Sequence, residues 1–242
     1  MAKSKNNINF NNITAETLEA LSRYNVAYMK TCDLVARKKA ETKTAIQKYE
    51  SDVKEYKATT LAVLADGSVN PEYSLEKFDK EKAAELARIN AWFEAETEPL
   101  KEEFKPATKL VNKDIYYAYA LTMQRGSGSR GEYVVYDKDG NVKAKYAVKQ
   151  SFNALIAEFL RNMGCVTDNP KAIEKVAQNL ANRCGGMRKA NDKTYLKLQG
   201  TSEFRTKVVL ALLQYVVLER KALIQNDDYT LRRNIPTENT EA

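Results

Sequence analysis

Residues 14–65 read TAETLEALSRYNVAYMKTCDLVARKKAETKTAIQKYESDVKEYKATTLAVLA, without one glycine or proline. Those two residues interrupt helices most strongly, so the stretch predicts one long helix. Thr14 can accept from the first-turn amides as a cap, and Glu16 and Glu19 suit the positive end of the helix dipole. A heptad frame running from position 18 to position 63 has fourteen seam sites. Ten are apolar: Leu18, Leu21, Tyr28, Cys32, Val35, Ile46, Tyr49, Val53, Tyr56 and Val63. That is the seam of a coiled-coil-like stripe. Lys39 and Thr42 miss it together inside RKKAETKT, which predicts a break or a solvent-exposed turn there.

Working outward, DGSVNP (66–71) ends the helix. Gly67 can take a left-handed C-terminal conformation, Asn70 can cap, and Pro71 fits a first helical position. A second helix over 71–105 places Leu75, Phe78, Leu86, Ile89 and Phe93 at helical spacing beside Trp92, with Lys82 interrupting. Glu76, Lys80, Glu81 and Glu85 take the opposite face. The fold class is therefore mainly α. An N-terminal arm (1–13) leads into a long antiparallel, coiled-coil-like helical hairpin (14–105) that closes at Pro106.

A basic α-rich domain with one small β-hairpin is expected over 108–224, followed by a polar, mobile tail at 225–242. Its first element is a tyrosine-rich helix, TKLVNKDIYYAYALTMQ (108–124). The β-hairpin follows at about 132–148, where EYVVY and VKAKYAV flank a type I turn at Asp137–Gly140. Helices follow at 149–163 and at 170–183, the latter capped by Asp168 or Asn169 ahead of Pro170. Gly185 and Gly186 break the chain before a basic connector at 187–200. A last helix at 203–224 carries VVLALLQYVVL, apolar nearly all round and so central to the core.

The composition narrows the chemistry. The chain has no histidine, so Ser-His-Asp and Cys-His catalysis and His-containing zinc sites are impossible. Cys32, Cys165 and Cys184 are far apart with no CxxC spacing, which reads as reduced thiols in a cytoplasmic protein. Val208–Leu218, the longest apolar run, is interrupted by Gln214 and falls well short of the ~20 residues of a membrane span. The N-terminal MAKSKNNINFNNI lacks an apolar core, so no secretory signal is expected. No catalytic residue, metal ligand or cofactor is expected. Acidic runs such as 94–98 and Asp227–Asp228 have no metal-ligand spacing.

The formal charge of +7 is unevenly placed. Residues 1–107 hold 17 Lys/Arg against 18 Asp/Glu, whereas 108–242 hold 22 against 14. A basic block beside a neutral one points to a polyanion partner. Three groups of residues could make that contact. In RGSGSRG (125–131), Arg125 and Arg130 flank glycines that let the backbone approach phosphate. On the hairpin, a three-residue loop puts Tyr133 on one face with Lys143 and Lys145, an aromatic ring for stacking beside two cations for phosphate. A two-residue loop would put Tyr136 beside Lys143 instead. Third, Arg183, Arg188, Lys189, Lys193 and Lys197 surround the paired glycines, and Arg205 and Lys207 follow in the first turns of the last helix.

The function expected is non-enzymatic association with DNA or RNA through the phosphate backbone. The helical hairpin would serve assembly, self-association or contact with a protein partner, and no membrane is involved. The alternative is a phage or mobile-element structural protein that docks on a protein complex.

Overall fold

The computed structural model describes residues 12–126, 128–137, 139–165, 171–172, 175–176, 179–180, 187–190, 193–196 and 201–234. It is mainly helical. In chain order come α1 (Ala15–Thr59), α2 (Glu76–Thr97), α3 (Leu100–Leu110), α4 (Lys113–Arg125), β1 (Gly131–Tyr136), β2 (Val142–Val148) and α5 (Phe152–Asn162). Then follow β3 (Met187–Ala190), β4 (Lys193–Leu196), α6 (Thr201–Leu213), a π-helical turn (Gln214–Glu219), β5 (Leu223–Gln225) and β6 (Leu231–Arg233). The residues described between 171 and 180 are also helical. Among the described residues the strands form three two-stranded antiparallel ladders, β1–β2, β3–β4 and β5–β6. The chain divides into two compact units, Met1–Val26 with Phe104–Ala242, and Ala27–Glu103.

In the first unit, Thr14 caps α1 as expected, its hydroxyl accepting from the Thr17 N–H at 3.1 Å. Leu21 and Tyr24 on the opening turns of α1 are fully buried. Tyr24 meets Phe104 edge-on at 4.9 Å. On α4, Ile115, Ala118, Tyr119 and Leu121 are buried. From α5 come Phe152, Ile156 and Leu160, and from α6 Phe204, Val208 and Leu212. Tyr119 and Phe204 stack at 4.9 Å, with Phe152 tilted against Tyr119 at 5.2 Å. The apolar VVLALLQYVVL segment thus takes the central place its composition demands. It is not one regular helix to 224, however. At Gln214 it widens into the π turn, where the Arg220 N–H reaches back five residues to the Tyr215 carbonyl at 2.9 Å.

Beyond that turn the structure corrects the expectation of a mobile polar tail as far as Asn234, and the remainder of that tail, 235–242, lies outside the described residues. β5–β6 is an ordered hairpin fastened to α1. Asn25, buried at a polar position of the heptad frame, donates to the Gln225 side chain at 2.8 Å and to the Tyr229 carbonyl at 2.7 Å. The Leu231 N–H donates to the Ser22 hydroxyl at 2.9 Å, and the Arg233 guanidinium to the Ile13 carbonyl. The basic connector at 187–200 also contains structure, the ladder β3–β4.

In the second unit α1 continues through RKKAETKT without a break, as the largely exposed stretch of helix that is one of the two expectations, and long side chains from it reach α2. Arg37 lies over Trp92 at 4.3 Å and Lys38 over Phe93 at 4.4 Å. Arg37 also pairs with Glu41 one turn on at 2.8 Å. The helix ends at Thr59 rather than near 65, and α2 begins at Glu76 rather than Pro71. Between them, Gly67 at φ 82° closes a turn whose flanks join in a Val63–Val69 bridge. Asn70 caps no helix. Its side chain donates to the Leu61 carbonyl at 2.8 Å and accepts from Glu72 at 2.9 Å, holding the returning chain against the outgoing one. Pro106 sits inside α3 instead of closing the arm.

Gly164 marks where the N-terminal segment crosses the end of α5. Its φ is 86°, and a Cβ there would lie 2.0 Å from the Asn12 carbonyl oxygen. Gly164→Ala should cost about 1–3 kcal/mol from conformation alone, and more from the backbone clash. Thermal unfolding should show a clearly lowered Tm. Asn25→Ala should destabilise by about 1–3 kcal/mol through the acceptors it strands, whereas an unchanged midpoint in a urea titration would contradict its role as an anchor.

Candidate nucleic-acid interface

The candidate interface residues described most fully lie on β1–β2. Its turn follows from chemistry. Asp137 pairs with Asn141, its N–H donating to the Asn141 carbonyl at 2.9 Å, and its carboxylate accepts from the N–H groups of Asn141 and Asp139 at 2.8 and 2.9 Å. Those bonds hold the Asp137 carboxyl below the usual range, with the Asn141 amide as the largest cause. Gly140 takes φ 85°, the left-handed position that ends a three-residue loop.

Immediately beyond, the register shifts. Tyr136 pairs with Val142, but Val135 pairs with Ala144, so Val142 and Lys143 together oppose Tyr136. This β-bulge turns the rest of the ladder by one residue. Tyr133 therefore faces Tyr146, not Lys145, and the expected surface is corrected. Tyr133, Val135, Ala144 and Tyr146 share the side that packs on α4, where Tyr117 stacks on Tyr146 at 3.9 Å and 13° and Tyr133 lies 6.3 Å from Tyr117. The other side carries Glu132, Val134, Tyr136, Lys143 and Lys145. Tyr136 is 59% exposed, and both lysines are exposed. One aromatic beside two lysines survives as the pattern, with Tyr136 in place of Tyr133. Lys145 has an acidic neighbour, Glu132 at 3.5 Å, but both are largely exposed and such a pair contributes little.

Arg125 ends α4 and Arg130 precedes β1, both exposed. Between them the chain is shaped by glycines at positive φ, Gly126 at 96° and Gly128 at 82°. The Gly126 N–H donates to the Thr122 carbonyl at 2.8 Å, and the Ser129 hydroxyl donates to the Gly126 carbonyl at 2.6 Å. The Arg125 guanidinium reaches across to Gly131, 3.4 Å from where a Cβ would sit. It also complements the negative end of α4. This tract is thus a compact cap leading into the hairpin.

In the third group, Arg188, Lys189 and Lys193 lie on β3–β4, where Arg188 pairs with Tyr195, Lys189 with Thr194 and Lys193 with Ala190. Arg183 and Lys197 lie outside the described residues, as do Cys184 and the paired glycines. Arg205 and Lys207 are half-buried in α6. The Arg205 Nε is shielded from water with no hydrogen-bond acceptor among the described residues. The described residues contain no His, Cys, Asp or Glu cluster able to hold a metal ion, and no helix long and apolar enough to cross a membrane. The chain matches no family model, no curated protein and no solved structure.

The tyrosine layer under the hairpin has a measurable signature. The Tyr117 phenol is pushed up to about 12 from 10.0, first by burial and then by its hydrogen bond with Tyr146. Burial likewise raises Tyr133 and Tyr116. The fold holds the proton more tightly than the unfolded chain does. This stabilisation is complete below pH 10 and is lost as pH rises through about 12. Ultraviolet difference titration should therefore show a late-ionising phenol that disappears in Tyr117→Phe.

Proposed function

We propose that the protein associates with nucleic acid without catalysing a reaction on it, gripping the phosphate backbone through its basic C-terminal part. The observation that carries this reading is the solvent face of β1–β2, where Tyr136 stands beside Lys143 and Lys145. Lysines neutralise phosphates and release counter-ions, and an exposed ring stacks on any base, so the pairing suits a polymer without sequence preference. Arg125 and Arg130, both exposed, add cations near the start of the same hairpin. The excess of 16 Lys/Arg over 8 Asp/Glu across 125–207 supports the same reading. In it the helical hairpin serves assembly.

A labelled single-stranded oligonucleotide titrated at low and moderate salt tests this. On single strands each phosphate contact removed should lower the slope of log affinity against log salt by about 0.7, so Lys143→Ala/Lys145→Ala should lower it by about 1.4. Tyr136→Ala should lose ~1–3 kcal/mol on single strands, and less on duplex. Absence of binding at low salt would overturn the reading.

A second reading, docking on a protein complex, is favoured by one observation. Leu61, Val63, Leu64 and Val69 are all exposed at the tip of the α1–α2 hairpin. Apolar groups gathered on a tip mark a contact surface. Replacing Leu61 and Val69 with Ser separates the readings, since oligonucleotide affinity should not change.

A further inference from the structure

The Ala27–Glu103 unit has almost no interior of its own: only Ala27 and Ile89 in it are buried. Its two helices are held mainly by long side chains reaching across a gap. Arg37 covers Trp92, Lys82 sits over Tyr49 at 4.2 Å, the Tyr49 hydroxyl donates to Asp79 at 2.7 Å, and Arg88 meets Glu41 at 3.5 Å. A groove of about 780 Å³ remains between them, lined by Ala40, Thr44, Lys48, Tyr49 and Phe78 among others. Meanwhile, although Tyr49 and Tyr56 of the heptad seam contact the returning chain, the stretch of that seam at Cys32 and Val35 is left open, with Cys32 exposed and Val35 50% exposed.

Helices draw most of their stability from covering an apolar stripe, and a two-helix pair this thin leaves its stripe wet. Charge indicates what covers it. The α1 arm, 27–59, has 8 Lys/Arg against 5 Asp/Glu, whereas 60–103 has 5 against 11. One arm is net +3 and the other net −6. We propose that this hairpin pairs with the same hairpin of a second copy of the chain, the α1 of each copy lying against the α2 of the other. A two-fold arrangement of this kind places the basic arm on the acidic arm twice over, closes on itself and buries the open seam. The proposal rests on reading the hairpin as the assembly element, and it names the partner.

The full-length chain should be examined without nucleic acid by sedimentation across concentration. The expected result is a species of twice the 27.4 kDa chain mass, weakened by salt. Val35→Glu puts an acid opposite the acidic arm and should weaken association at least tenfold. Val35→Lys removes the same apolar contact but matches that arm, and should weaken it less. Because Val35 is half exposed, circular dichroism should show both variants folded. In the unaltered protein, maleimide labelling of Cys32, read by peptide mass mapping, should slow as the dimer forms, while buried Cys165 stays slow throughout. Lys143→Ala/Lys145→Ala should keep the dimer mass, so loss of oligonucleotide binding and loss of pairing are read separately. A single-chain mass at every concentration with Cys32 labelling unchanged overturns the proposal. So does an increase in mass seen only when oligonucleotide is added, or a Val35→Lys defect as large as that of Val35→Glu.

Discussion

Between Val142 and Ala144 the second strand of the hairpin carries one residue more than its partner, and that residue, Lys143, decides which side chains meet water. A regular ladder would turn Tyr133 outward with the lysines. The bulge turns Tyr133 and Tyr146 onto α4, where the stack with Tyr117 ties the two strands to the helix. A two-stranded hairpin alone is marginal in water, so this aromatic contact is what allows the solvent face to be presented at all. The inward side supplies the packing, and the outward side is free to carry Tyr136 and two cations.

The same division of labour appears elsewhere in the chain. Around Tyr119, Phe152 and Phe204 the packing is ring on ring. Between α1 and α2 the apolar content is thin, and arginines and lysines lay their stems across aromatic rings instead. Such contacts hold a spacing without sealing a core. The hairpin is accordingly suited to completion by another surface.

Much of the architecture was legible because helix formation is local. The glycine-free stretch after Thr14, the cap at that residue and the apolar density of 208–218 each announce their elements from neighbouring residues alone. What the sequence hid were long-range hydrogen bonds and single-residue register. Asn25 reads as a blemish in a heptad, yet it is the anchor of β5–β6 through partners some two hundred residues away. The bulge at Lys143 likewise has no signature in VKAKYAV, because alternation is equally satisfied in either register. The hairpin face therefore keeps the expected arrangement of one ring beside two lysines, but the ring is Tyr136 and not Tyr133. The tyrosines of α4 divide between two partners: Tyr117 stacks on Tyr146 of the hairpin, while Tyr116 packs edge-on against Phe204 of α6.

The most direct test is residue-resolved tyrosine footprinting by hydroxyl radicals, with and without a single-stranded oligonucleotide. Tyr136 should be modified readily in the free protein and protected on binding, while Tyr117, Tyr133 and Tyr146 react slowly in both states. Reaction of Tyr133 as fast as Tyr136, or a Tyr136 that stays reactive in saturating oligonucleotide, would contradict the account.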